Sequence, residues 1–83
     1  MLTDAPAALE DLPPSCKLVY AILREAAGPL EQGELTVRTA LSGGTVSQAL
    51  DRLEAHALVE RRQSLRDARK RLIELRDTPE NEP

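Results

Sequence analysis

Gln48 and the side chains around it are the part of this 83-residue chain whose types and spacing suit recognition chemistry. Val46, Ala49, Leu50 and Leu53 recur at i, i+3, i+4 and i+7, which makes one buried stripe at the helical period. The opposite face then carries Gly44, Thr45, Ser47, Gln48, Asp51 and Arg52. These are short or hydrogen-bonding side chains of the kind that can approach base edges in the major groove of duplex DNA, where Gln can pair bidentately with adenine. Farther on, residues 59–76 hold seven cations, Arg61, Arg62, Arg66, Arg69, Lys70, Arg71 and Arg76, against Glu60, Asp67 and Glu74, a local charge of +4. Cations at that density suit contact with phosphates, although a solvated charged hairpin fits the charge count equally well.

The chain as a whole is acidic, with a net charge of -3, and this conceals the basic stretch. Residues 1–14 and 77–83 together hold six acidic and no basic side chains, so the middle of the chain, with 11 basic against 8 acidic residues, is net +3. Tyr20 is the single aromatic residue. No aromatic platform exists for stacking single-stranded bases, and the core must be built from Leu, Val, Ile and Ala. Chains of this length bury a core near the lower limit for independent stability and often gain from association. No apolar run approaches the roughly 18 residues needed to cross a bilayer, and the acidic start lacks the basic opening of a signal peptide, so a cytoplasmic location is expected. Cys16 and His56 are the only thiol and imidazole. They form no local metal-ligand cluster and no catalytic pair, so no enzyme activity, metal or cofactor is expected. Cys16 falls near the start of a helix, where the dipole lowers a thiol pKa. A redox role is one reading of it, and a half-buried, inert small apolar residue is the other.

The elements that must position these groups follow from punctuation and period. Residues 1–14, rich in Ala, Pro and acid, read as a flexible arm in which 7–12 could form a helical turn before Pro13 and Pro14 end it. A first helix over 15–27 starts at Pro14 and Ser15, turns Val19, Ile22, Leu23 and Ala26 inward with Leu18 widening the stripe, and stops at Gly28 and Pro29. Leu30 falls in a short extended link. A second helix over 31–40 has weak propensity, because of Gly33, Thr36, Val37 and Thr39, and is held by packing through Leu35. Leu41 packs at the turn, and Ser42 caps a third helix over 43–55 by accepting from the Thr45 N–H. Then the period changes toward two. Residues 58–62 read as a strand, 63–69 as a turn and 70–75 as the returning strand, a hairpin that must lie on the helices to be stable. Residues 77–83 read as a disordered acidic tail. The fold class is therefore mainly α with a small β-hairpin: a winged helix-turn-helix of three helices and a two-stranded wing over 15–76.

At Gly28-Pro29-Leu30, Glu34-Leu35, Leu41-Ser42, Thr45-Val46, Ala49-Leu50, Arg52-Leu53-Glu54 and Asp67-Ala68-Arg69 the chain resembles the DNA-binding core of MarR-type transcriptional regulators, and especially the short stand-alone winged-helix proteins of halophilic archaea. The resemblance covers residues 15–76. It implies that Thr45, Ser47 and Gln48 lie in the major groove, with Ser42 and the amides of Gly43 and Gly44 near a phosphate at the helix N-terminus. It implies that Arg52 reaches the DNA backbone and that Arg62, Arg66, Arg69 and Lys70 touch phosphates or the adjacent minor groove. Ala40 and Ala57 stand where the family usually has glycine, so turns that need positive φ are expected to be altered here. Val37 replaces a usually charged position and offers a contact patch.

The expected function is sequence-specific binding of double-stranded DNA and regulation of transcription by promoter occupancy. Residues 43–55 would serve as the recognition helix and 58–75 as the wing. Full-length relatives dimerise through long helices that lie outside the winged core. Pairing here is therefore expected to be a homodimer through residues 1–14 and the first helix, with no small-molecule ligand and no membrane contact. The alternative is a winged-helix module that binds proteins and not DNA, motivated by the acidic total charge and the uncharged start of the third helix.

Overall fold

The computed structural model describes residues 7–76. Three helices, α1 (Pro14–Ala26), α2 (Gln32–Thr39) and α3 (Gly43–Ala55), pack against an antiparallel sheet of β1 (Leu30–Glu31), β2 (Val59–Gln63) and β3 (Arg71–Leu75) in the order β1-β3-β2. The expected wing of two strands gains a third. Leu30 pairs with Ile73 and Glu31 with Leu72, so the link after Pro29 ties the wing to the helical body. The extended backbone that leads into α2 supplies the donors and acceptors that the outer edge of β3 would otherwise leave unpaired.

Leu23, Leu35, Leu50, Leu53, Ile73, Val19 and Val46 are all under 2 % exposed, and no aromatic ring is among them. All four stripe residues of α3 are buried, as their spacing predicts. In α1 the buried line is Cys16, Val19 and Leu23, while Ile22 and Ala26 are half-buried and Leu18 is exposed. The α1 stripe is thus rotated toward Cys16 and away from Leu18. Residues 7–12 are not an arm. Ala7–Asp11 forms a short 3-10 turn whose Leu9 joins Leu12 in the core, because two leucines three apart on one turn bury more apolar surface there than a solvated arm would. The rest of the expected arm, residues 1–6, and the expected tail, 77–83, lie outside the described residues. Among the described residues no helix is long and apolar enough to cross a membrane.

Helix termini set the tight corners. α1 starts at Pro14, where a missing N–H costs nothing, and Pro13 rather than a serine precedes it with no side-chain cap. α3 is capped as its sequence predicts: Ser42 Oγ accepts from the Thr45 N–H at 3.1 Å. Ala27, Ala40 and Ala57 adopt the left-handed conformation with φ of 57°, 62° and 59°. The turns at Ala40 and Ala57 are therefore kept and not altered, and at the end of α1 the positive φ falls on Ala27 and not on Gly28. The Ala27 and Ala40 N–H groups close the two helices onto Leu23, Arg24 and Thr36 carbonyls, which outweighs the strain. Glycine pays no Cβ penalty there but loses more chain entropy on folding. Ala40→Gly and Ala57→Gly are each expected to stabilise the protein by about 0.5–1 kcal/mol, read as a rise in melting temperature of a few degrees. A fall in either variant would mean that these turns carry no left-handed strain.

Candidate nucleic-acid interface

The outward face of α3 is open. Gly43, Gly44, Gln48 and Asp51 are exposed, and a Cβ added at either glycine would meet no atom of the chain within 4 Å. Their lack of a side chain is not demanded by packing, so the first turn of α3 presents bare backbone. Ser42 lies at its start with its hydroxyl donating to Thr45 Oγ1 at 2.9 Å while accepting the Thr45 amide at 3.1 Å, which engages the Ser42 hydroxyl locally in both directions. The sequence-predicted reading group therefore splits around the helix. Gly44 and Gln48 point outward. Ser47 is half-buried and turned toward a cleft of about 910 Å³ between α2, α3 and the wing, bordered also by Gly43, Thr36 and Val37. Thr45 and Arg52 fall, by helical spacing, on the side of α3 that carries Ala49, whose carbonyl accepts from Cys16 of α1.

Strand alternation sorts the arginines. In the β2–β3 ladder Val59 faces Leu75, Arg61 faces Ile73 and Gln63 faces Arg71, so Arg61 and Arg71 share the inward face with Val59 and Ile73. There Arg61 meets α3: its Nη2 donates to Asp51 Oδ1 at 2.5 Å and to Glu54 Oε1 at 2.9 Å, and its Nε to Glu54 Oε1 at 3.2 Å. Burial works against the Arg61 charge, but the two carboxylates outweigh it and raise its pKa. Arg62 lies on the other face of the sheet and pairs with Glu74 at 2.6 Å. Arg69 is held by Asp67 at 3.2 Å, which keeps that carboxyl below its usual range, and Lys70 lies 3.5 Å from Glu31. Arg66, Arg71 and Arg76 are exposed and form no ion pair among the described residues. The local surplus of +4 is thus largely partnered, and Arg66 at the wing tip with Arg71 beside the cleft are the cations most available to an outside anion. Arg61 and Arg71 were not among the sequence-predicted site residues. Counting by twos from the buried Val59 would have found both.

His56 ends α3, and its Nδ1–H donates to the Arg52 carbonyl at 3.0 Å, a polar turn role. Cys16 is fully buried and its Sγ–H donates to the Ala49 carbonyl at 3.6 Å. Burial pushes its pKa up, opposite to the helix-dipole expectation, because desolvation of a thiolate outweighs the Arg52 charge and the Ser15 hydrogen bond. Cys16 thus fits the inert reading, apart from being wholly and not half buried. In the native protein its reaction with a disulfide reagent is expected to be slowed by orders of magnitude relative to denatured chain, since only an opened state exposes it. Labelling at the free-thiol rate would restore the redox reading.

Three helices in this order, with the third capped and outward-facing beside a basic hairpin, define the winged helix-turn-helix class. The MarR family model matches residues 11–70, and the chain belongs to the MarR family. Among curated sequences none matches it. Similar solved structures include the transcriptional regulator PcaV of Streptomyces coelicolor in complex with its natural ligand, at 25% identity and a TM-score of 0.76, over 82% of this chain and 48% of that one. A probable transcriptional regulator from Pseudomonas aeruginosa is similar at 28% identity and 0.75, over 81% and 50%. Mutant MarR of E. coli complexed with operator DNA is similar at 26% identity and 0.73, over 84% and 49%. The chain spans about half the length of the structures it matches. PcaV was solved with its natural ligand, which contradicts the expectation that no small-molecule ligand is involved as a rule for such proteins.

Proposed function

We propose that this chain binds double-stranded DNA and regulates transcription by occupying a promoter. The outward face of α3 would lie in the major groove, and the wing would follow the flanking backbone. The observation that carries the reading is the open first half of α3, with two side-chain-free residues, a capped N-terminus and exposed Gln48 on a helix whose inner stripe is buried. Orphan amides and the helix dipole favour a phosphate at such an end, and Gln48 would read a base. A neighbour of the same fold complexed with operator DNA supports it. Ser42, Gly43, Gly44 and Arg52 would contact the backbone beside the helix, and Thr45 and Ser47 would flank Gln48. Arg66, Arg69 and Lys70 would contact phosphates or the minor groove from the wing, with Arg62 reaching only if its pair with Glu74 opens. A homodimer, formed through the N-terminal residues and α1, would place two such helices on two half-sites in the cytoplasm.

The test is fluorescence anisotropy with random-sequence duplex DNA across a salt series. Log affinity is expected to fall steeply with log salt as counterions are released. No binding at low salt would overturn the reading in favour of a protein-binding module. Once an operator is in hand, Gln48→Ala is expected to relax preference at one base position by about 1–3 kcal/mol while leaving random-duplex affinity nearly unchanged, scored on single-base operator variants. Equal discrimination in wild type and variant would take Gln48 out of the readout.

A further inference from the structure

The carboxylates on the proposed DNA face need explaining. Asp51 lies three residues after Gln48, on the same outward side, with a side chain 63% exposed, and Glu54 follows at 44%. Against them α3 itself offers only Arg52, which forms no ion pair with either. Two bare carboxylates beside a phosphate backbone would repel it. Arg61 reaches across from β2 and donates to both, although its own side chain is only 18% exposed. Exposed ion pairs contribute little to stability, so holding the fold together is a weak account of this cluster. Its effect on the field at the helix surface is a stronger one.

We infer that Arg61 is a positioning residue that masks Asp51 and Glu54 and so makes α3 acceptable to duplex DNA. The inference rests on the DNA-binding reading above. Strand alternation forces the arrangement: Arg61 stands opposite Ile73 on the inward face, so its guanidinium is delivered to α3 and not to solvent. With the clamp closed, the cluster holds one net negative charge, enclosed in hydrogen bonds. Without it, two carboxylates face the ligand. Arg61 contributes to binding without touching DNA.

The experiment compares wild type, Arg61→Met and Asp51→Asn/Glu54→Gln/Arg61→Met by anisotropy on one random-sequence duplex over a salt series, with a thermal melt of each. Arg61→Met is expected to bind about tenfold more weakly at 0.1 M salt, with a salt slope flatter by about one, as for one lost interaction charge. Its melting temperature should stay within a few degrees. The triple variant should return to within about threefold of wild type, a rescue that a purely structural role would not produce. Wild-type affinity in Arg61→Met, or a triple variant as weak as the single one, overturns the inference while leaving DNA binding intact. A wild-type chain that binds no duplex overturns the DNA reading and this inference with it. Should Arg61→Met fail to fold, Asp51→Asn/Glu54→Gln in the wild-type chain decides: at least threefold tighter binding supports masking, and unchanged affinity overturns it.

Discussion

Leu53→Ala is expected to cost about 2–5 kcal/mol of unfolding free energy, the range for emptying a closed leucine site. Leu53 is fully buried in the last turn of α3, and its carbonyl accepts from the Leu58 N–H at 2.9 Å, the step at which the chain leaves the helix for β2. The cavity would therefore open where α3, the wing and α1 meet. The fully buried side chains are aliphatic apart from Cys16, and Tyr20 packs only half-buried against their edge. In a domain this small the loss is comparable to the whole of a typical stability of roughly 5 kcal/mol or somewhat more. Urea denaturation followed by circular dichroism measures it. The midpoint should drop sharply with an unchanged slope, whereas a loss below about 1 kcal/mol would show that the helix-wing junction relaxes around the missing methyls. DNA binding should fall with the folded fraction, since Leu53 itself faces away from any ligand.

The α3 region was legible because three local signals agree there: a serine cap, a four-residue apolar stripe and the sharp change to period two after His56. Its bounds, its cap and its buried residues all follow from local chemistry. β1 was not legible, since two residues of extended chain carry no periodicity and become a strand only when Ile73 and Leu72 arrive from far along the chain. The 3-10 turn was visible as a turn but not as core, because burial of Leu9 and Leu12 depends on what α1 leaves uncovered. Cys16 was misjudged in degree. Its position on α1 was clear, but the rotation of that helix toward α3 is a packing outcome. In the candidate site, counting charge treated seven cations as equivalent. Alternation along β2 and β3 separates them into inward, outward and tip positions, and the acidic neighbours then decide which are available. Thr39 shows the same limit on a smaller scale: it is a β-branched residue that weakens α2 by propensity. It nevertheless ends that helix by donating to the Leu35 carbonyl at 2.7 Å and accepting from the Leu41 N–H at 3.2 Å.

Arg66→Ala/Arg71→Ala removes two of the three cations of residues 59–76 that no described carboxylate holds, the third being Arg76 after the end of β3, and it is expected to flatten the salt slope of duplex binding by about two units. At 0.1 M salt each lost phosphate contact is worth on the order of tenfold, so the double variant should bind roughly a hundredfold more weakly, and by the same factor on every sequence. Arg62→Ala is the internal control. Arg62 already donates to Glu74 on the far side of the sheet, and using it on DNA would require breaking that pair and leaving a carboxylate near the phosphates. Its loss should change affinity by less than about threefold, the scale of an exposed ion pair. The two effects are ordered by geometry and not by charge, since all three residues carry the same guanidinium. If Arg62→Ala proved the more damaging change, DNA would have to run along the outer face of the sheet, and the wing would meet it from the side opposite to the α3 cleft.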